Sequence, residues 1–155
     1  MKQFKVTIKS SKGEIVLGGL GEAKDKDEKL AESALTGVDV KFDTIDENVK
    51  EKSHGMIARV TVRGQIIKQN HKAIKDVMQW AIDNDGETEY RQVVVEMIVA
   101  KNEEPYGYEI PEMFVVDYEE SYHQEGEDDT ATSVPDTFEL KLSQHKSLLD
   151  DIKVF

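Results

Sequence analysis

Residues 113–118, MFVVDY, and residues 138–142, FELKL, lie in the stretch 110–142 that decides the fold. The first run is apolar and rich in aromatic side chains, whereas the second alternates apolar with polar residues. Alternation with a period of two is typical of a half-buried strand. The connection contains GEDDT at residues 126–130 and Pro135, and it is too long for a two-residue turn. We therefore expect two antiparallel strands joined by a long acidic loop.

Strands are also expected N-terminal to this stretch. Residues 4–8 alternate apolar and polar side chains, and a second strand starts at residues 14–17, close enough to form a hairpin. Residues 38–42 predict a third strand. Residues 56–67 predict a long fourth strand, in which Gly64 marks a bulge or a close approach of the backbone to another group.

One helix is predicted over residues 70–84. Asn70 is a suitable N-cap, and residues 84–86, NDG, are typical of a helix end. The apolar side chains that recur at helical spacing are Ile74, Val77, Met78, Ala81 and Ile82. Trp80 falls off the centre of this stripe, which places it at the core edge or at a subunit contact, and we favour the core edge.

The next predicted strand, residues 89–100, is apolar on both faces. One face carries Val93, Val95, Met97 and Val99, and the other carries Tyr90, Val94 and Ile98. A strand of this kind is covered by a helix on one side or buried in a subunit interface. We interpret Tyr90, Val94 and Ile98 as a candidate subunit contact.

The order of elements predicts a mainly β fold. We expect about eight strands in an antiparallel barrel or sandwich with one inserted α-helix, as a single domain over residues 1–155. The last residues, 146–155, are expected to form a terminal turn or strand that closes the sheet. The strands of residues 110–142 are then the closing half of a barrel, and the hairpin of residues 4–17 is their partner.

The composition limits the function classes. The 32 acidic and 20 basic residues give a formal charge of -12, so duplex nucleic acid and anionic membranes are poor partners. The chain has no cysteine, which excludes disulfides and thiolate chemistry. No apolar stretch approaches the roughly 20 residues that span a bilayer. The N-terminal residues lack the apolar segment of a signal peptide, so a cytoplasmic location is expected.

Catalytic and metal-binding patterns are weak in this sequence. The four histidines, His54, His71, His123 and His145, are not paired at metal-ligand spacing. Acids near His123 are better explained as a solvated strand end, and residues 125–129 do not follow a calcium-loop pattern. The glycine-rich residues 18–21 lack the features of a phosphate-binding loop, and no Gly-x-Ser-x-Gly motif occurs. We predict neither enzymatic activity nor a cofactor.

Charged residues have a structural interpretation instead. Arg59, Arg63 and Arg91 lie on predicted strands among polar neighbours, and we expect them to pair with acids across strands. Residues 23–32 are almost entirely charged and have no apolar stripe. This segment is therefore expected to be a solvated loop, or to order only against a partner.

The layout of the whole chain resembles the tail-tube proteins of contractile injection machines, both the haemolysin-coregulated tube proteins of type VI secretion and phage tail-tube subunits. The resemblance lies in the hairpin of residues 4–17 and the polar excursion of residues 18–37. It extends to the single helix 70–84 between long strands, and to the closing strand pair with a short terminal strand. Whether the chain belongs to a secretion system, a phage tail or a phage-like particle is left open.

The resemblance implies a β-barrel that forms six-membered rings, which stack into a hollow tube through which cargo passes. It implies that the chief partner is the chain itself, with sheath, baseplate or spike proteins as further contacts, and that the particle is ejected in some systems. Sequence-specific nucleic-acid binding is not implied. By this likeness the residues of the ring-stacking loop are Gly18, Gly19, Leu20, Gly21, Asp25, Asp27, Glu28, Leu30, Leu35 and Gly37.

Two alternatives compete with a tube subunit. One is a monomeric β-barrel that binds a small ligand or a peptide, with the helix capping one mouth of the barrel. The other is a hydrolase that uses two of the many carboxylates, for which no residue pair has a meaningful spacing. The order of elements favours the self-assembling subunit.

Overall fold

A computed structural model describes residues 2–44, 56–100, 103–124, 134–145 and 151–155 of the chain. Eight strands are present in this part: β1 (Gln3–Ser10), β2 (Gly13–Gly18), β3 (Leu35–Thr44), β4 (Met56–Gln65), β5 (Arg91–Ile98), β6 (Tyr106–Ser121), β7 (Thr137–Gln144) and β8 (Lys153–Val154). Two α-helices accompany them, α1 (Lys26–Ser33) and α2 (His71–Ala81), and a 3₁₀ turn, Lys68–Asn70, precedes α2.

All recorded strand pairings are antiparallel, and the strands form one sheet in the order β2-β1-β5-β6-β7-β4-β3, with β8 paired to β6. The mainly β fold class is confirmed, as is the antiparallel pairing of the two strands in residues 110–142. The prediction that the hairpin of residues 4–17 is their direct partner is wrong, because β5 lies between β1 and β6. The acidic loop of residues 125–130 lies outside the described residues.

The sheet curls around one core. Alternate residues of the strands face inward and are almost completely buried: Val6, Ile8, Ile15, Leu17, Val60, Val62, Val93, Val95, Ile110, Leu140 and Leu142. A ring contact between Phe42 on β3 and Tyr108 on β6, with centroids 5.8 Å apart, shows that strands far apart in the sheet order meet across the interior.

Helix α2 contributes one face to this core and contacts both β2 and β6. Its buried residues are Ile74, Val77 and Trp80, whereas Met78 and Ile82 are exposed. The predicted apolar stripe was thus correct for the first two residues and wrong for Met78 and Ile82. Trp80 is only 1% exposed and lies in the core rather than at its edge.

The ends of α2 also differ from the prediction. The Asn70 side chain makes no capping bond to the helix; its Oδ1 accepts from Ile67 N and its Nδ2 donates to Gln65 O. The helix ends at Ala81, three residues earlier than expected. Asn70 therefore holds the strand-to-helix connection, because it satisfies backbone groups that precede the first turn.

Candidate assembly surface

The segment of residues 18–37 is a loop, a helix and the start of a strand, and not a loop throughout. Gly18 ends β2, α1 occupies Lys26–Ser33, and Leu35 and Gly37 belong to β3. The prediction that residues 23–32 are a solvated loop is wrong, because α1 occupies most of them. The third strand also begins at Leu35, three residues earlier than expected. A stacking contact with a neighbouring ring stays a prediction for these residues.

The glycines of this segment anchor it to β1 of its own chain. Gly19 N donates to Phe4 O at 2.9 Å. The Gln3 side chain bonds Gly21 twice, with Nε2 donating to Gly21 O at 3.0 Å and Oε1 accepting from Gly21 N at 3.1 Å. Gly18 has a φ of +74°, and an added Cβ would lie 2.2 Å from Phe4 O, so glycine is required there.

Helix α1 is held at its start by polar contacts, since none of its residues is buried. Asp25 is the N-cap, and its side chain accepts from Glu28 N at 2.8 Å. Glu28 in turn accepts from Lys24 N, and Asp27 accepts from Gln69 Nε2 at 3.3 Å. Asp25, Asp27 and Glu28 thus order the segment within one chain.

The apolar residues of the same segment divide between core and surface. Leu35 is buried and joins the core, Leu20 is half-buried, and Leu30 on α1 is exposed. The backbone after α1 is tied to β4, because Gln65 N donates to Ala34 O at 2.7 Å. Of the three leucines, Leu30 is the one most available for contact with another molecule.

The predicted contact residues of β5 do not form one cluster. Val94 lies in a row across three strands, opposite Thr7 of β1, which in turn lies opposite the exposed Val16 of β2. Ile98 lies opposite Gln3 at the other end of the strand pair. Val94 and Ile98 are half-buried, and their contact with a neighbouring subunit stays a prediction.

Tyr90 belongs to a separate aromatic group. Its ring meets Phe114 edge-on, with centroids 6.0 Å apart, and tilts over His145 at 4.3 Å. Tyr90 is therefore engaged within its own chain.

The exterior of β3, β4 and β7 is charged. Arg63 on β4 bonds Asp39 of β3 at 2.5 Å and Glu139 of β7 at 3.2 Å, and Arg59 bonds Asp43 at 3.3 Å. The expectation of cross-strand pairing is confirmed for these two arginines. It is wrong for Arg91, which is buried and pairs with Asp83 in the connection after α2.

A surface that the sequence did not indicate lies where β3, β6 and β8 meet. It comprises Phe42, Tyr106 and Val154, which are 39%, 43% and 72% exposed, and we call it the terminal patch. Tyr108 connects its members, since its ring contacts Phe42 and it lies opposite Val154. Phe155 exchanges two backbone hydrogen bonds with Gly107, at 2.9 and 3.1 Å.

The terminal patch was missed because its residues come from segments far apart in the sequence. Alternation indicated only that Phe42 belongs to a strand, and nothing local showed that its side chain stays exposed. The exposure of the last two residues depends on where β8 joins the sheet.

One open cavity, with a volume of about 270 Å³, lies beside β2 and is lined by residues of that strand, α1 and α2. Another, of about 680 Å³, lies between the start of β1 and α1 and includes Glu32. Burial raises the pKa of the Glu32 carboxyl, and the nearby Glu28 raises it further. Within the described ranges, no group of three histidines or carboxylates is placed to hold a metal ion.

No helix in the described part of the chain is long and apolar enough to cross a membrane.

Comparisons with known proteins give a fold likeness alone. No family model matches the sequence, and a search of curated proteins finds no match. The chain is similar to a chain in the structure of the anti-feeding prophage cap, described as the tube terminating cap, with 10% identity, a TM-score of 0.46, and coverage of 97% of this chain and 87% of that one. It is also similar to a chain in the six-fold symmetrised anti-feeding prophage baseplate, with 8% identity, a TM-score of 0.47, and coverage of 99% and 92%. Neither similarity is close enough to bear on function.

Proposed function

We propose that this chain is a structural subunit of a particle of the contractile-injection or phage-tail kind. In the finer form of the proposal, copies of the chain close into rings, six-membered by the resemblance, and the rings stack into a hollow tube that conducts cargo. The observation that carries the self-assembly is the terminal patch, because three large apolar side chains around Tyr108 are left exposed.

Apolar side chains that are scattered singly on a surface need no explanation, whereas adjacent ones mark contact surfaces. Burial of such surface contributes roughly 25 cal/mol per Å². Val154 is 72% exposed on a strand that β6 holds by backbone bonds, so its side chain is presented on a fixed support. A neighbouring copy that covers the patch removes this surface from water.

Assembly has to overcome the net charge of the chain. A formal charge of -12 repels like copies, and this repulsion opposes assembly. On the exterior of β3, β4 and β7, Arg59 and Arg63 are already paired with acids of the same chain. Exposed pairs of this kind contribute little, about 0–1 kcal/mol, so these two arginines add little to an interface.

Rings require a contact between two different surfaces of neighbouring copies, repeated until it closes. We propose that the terminal patch is one of these surfaces, and that the exposed Val16 of β2 and the half-buried Val94 of β5 contribute to the facing one. Helix α1, within the segment of residues 18–37, then stays available to contact the next ring, and the exposed Leu30 is its apolar contact residue.

Negative-stain microscopy and native mass spectrometry of the purified chain test the proposal. We expect rings of constant diameter and a range of high-mass species, because rings that stack give assemblies of different length. Val154→Asp places a charge in the terminal patch and should abolish the rings. Val134→Asp is the matched control, since Val134 is a valine of similar exposure, 58% against 72%, beside β7 and away from the patch.

A wild-type chain that stays monomeric at high concentration contradicts the proposal and favours the ligand-binding alternative. If rings form equally well with Val154→Asp, the role of the terminal patch is contradicted, but the proposed ring assembly is not.

A further inference from the structure

The free edge of β3 is a second surface with unused bonding capacity. β3 ends the sheet, is ten residues long, and pairs with β4 alone among the described strands. The strand at the opposite end, β2, has six residues, and both helices pack beside it. Unpaired N–H and C=O groups on a sheet edge accept a further strand. The edge of β3 is therefore the more open of the two.

The side chains along this edge are complementary to a second copy of themselves. In an antiparallel pair centred on Val40, Asp39 of each copy lies opposite Lys41 of the other, and Val38 lies opposite Phe42. Two attractive charge pairs then share one face of the sheet, and apolar pairs share the other. The Asp39 and Lys41 side chains are 63% and 69% exposed, so both can reach a second copy.

Neighbouring registers lose this match. A pair centred on Lys41 sets lysine against lysine and Asp39 against Asp43, and a pair centred on Asp39 sets aspartate against aspartate. A shift by one residue puts each charged side chain opposite an apolar one, because successive side chains point to opposite faces. A pair centred on Phe42 also sets Lys41 opposite Asp43 twice, but the Asp43 side chain is only 32% exposed, against 63% for Asp39. The register about Val40 is therefore favoured.

We infer that the free edge of β3 binds a second copy of this chain, antiparallel and centred on Val40. The contact has two-fold symmetry, with the same surface on both copies, so it differs from the repeated contact that closes a ring. It joins two subunits, or two rings, and it does not depend on whether rings form.

Sedimentation equilibrium of a charge-reversal series tests the contact. Lys41→Glu turns both attractive pairs into repulsive ones, and we expect the dissociation constant of the dimer to rise about ten-fold or more. Adding Asp39→Lys to that variant restores opposite charges and should restore dimerisation. Lys141→Glu is the matched control, because Lys141 is an exposed lysine on β7 near Glu139 and away from the edge, and it should dimerise like the wild type.

Asp39 also bonds Arg63 of its own chain, so the double variant is checked for folding by circular dichroism. A folded double variant that does not dimerise, or a Lys41→Glu variant that dimerises normally, overturns the inference.

Disulfide trapping tests the register directly, since the chain has no cysteine of its own. A mixture of Asp39→Cys and Lys41→Cys chains should form a mixed dimer. Either variant alone should not, because identical residues lie two steps apart, about 8 Å between Cα atoms, beyond the roughly 7 Å that a disulfide bridges. Self-linking by either variant as efficient as mixed linking contradicts the register.

The two proposals fail separately. Rings without the mixed disulfide overturn the β3 contact and leave the ring subunit standing. A mixed disulfide in a chain that never forms rings overturns the ring subunit and supports the β3 contact.

Discussion

Asp83 connects three parts of the molecule through one carboxylate. It accepts from Thr88 Oγ1 at 2.7 Å, from Lys12 Nζ at 3.2 Å and from Arg91 Nη2 at 3.3 Å. Arg91 in turn lies over the Trp80 ring, 5.3 Å from its centroid, so the group joins the β1–β2 turn, the end of α2 and the start of β5. The side chains of Asp83 and Arg91 are both only 6% exposed.

This arrangement predicts a pH-dependent contribution of Asp83 to stability. Bonds from Asp85 N and Thr88, followed by Lys12, lower the pKa of the Asp83 carboxyl well below its ordinary value. Because the folded pKa is below the unfolded one, the contribution is present above the unfolded pKa of about 3.9 and is lost as pH falls toward the folded value. Asp83→Asn should lower the free energy of unfolding at pH 7, because Arg91 stays buried without an anion.

Urea unfolding at several pH values measures this effect. We expect Asp83→Asn to flatten the decline of stability below about pH 4. Asp43→Asn removes the partner of Arg59 in an exposed pair and should change stability by about 1 kcal/mol or less. Equal effects of the two substitutions would show that burial of the Asp83 pair is unimportant.

Gly64 was predicted to mark a bulge or a close approach, and the close approach is confirmed. An added Cβ would lie 2.6 Å from the Phe138 ring and 2.7 Å from Ala34 O. Gly64→Ala should therefore destabilise the chain by about 1–3 kcal/mol in urea unfolding, since ring and backbone must shift. Gly37→Ala on the neighbouring strand meets nothing within 4 Å and should be neutral or slightly stabilising. A neutral Gly64→Ala would contradict the packing around β4.

At the scale of elements, α1 shows why a helix without an apolar stripe escaped prediction. Periodicity detects helices that bury a face, and α1 buries none of its residues. Its support comes from the Asp25 cap and from anchors on either side, at Gly21 and Ala34. The Asp25 cap is a local sequence signal, but it was not recognised because the neighbouring residues are also charged.

Loss of the Asp25 cap should selectively weaken α1. Asp25→Ala leaves Glu28 N without its acceptor and should cost about 1 kcal/mol of helix stability. We expect faster hydrogen exchange of the amides in Lys26–Ser33 and unchanged exchange in β5. Lys26→Ala is the control, because its side chain takes no part in the cap. Exchange that is fast in the wild-type monomer and slows only on assembly would instead support ordering by a partner.

The existence of α2 was predicted correctly, but the residues that it buries were predicted only in part. Ile74, Val77 and Trp80 face the core at steps of three, and the indole Nε1 of Trp80 donates to Glu89 O at 2.9 Å. A buried tryptophan with its polar group satisfied is stable in a core. Its packing turns Met78 and Ile82 outward, which helical spacing by itself does not reveal.

For the whole molecule, pairings between neighbouring segments were the predictable ones. β1 with β2 and β6 with β7 follow each other along the chain, and alternation indicated both. The pairings of β1 with β5 and of β4 with β7 join segments that are distant in sequence. Their register is selected by which faces bury apolar side chains together, and that depends on all strands at once.

The amino-acid sequence by itself determined the mainly β class, the strands with alternating faces, the existence of α2 and the exterior position of Arg59 and Arg63. These follow from local periodicity and from the cost of burying charge. Only the tertiary structure decided the buried Asp83–Arg91 pair, the terminal patch and the open edge of β3. Each of these depends on where the curled sheet brings distant segments together and where it leaves a strand without a neighbour, and no local pattern contains that information.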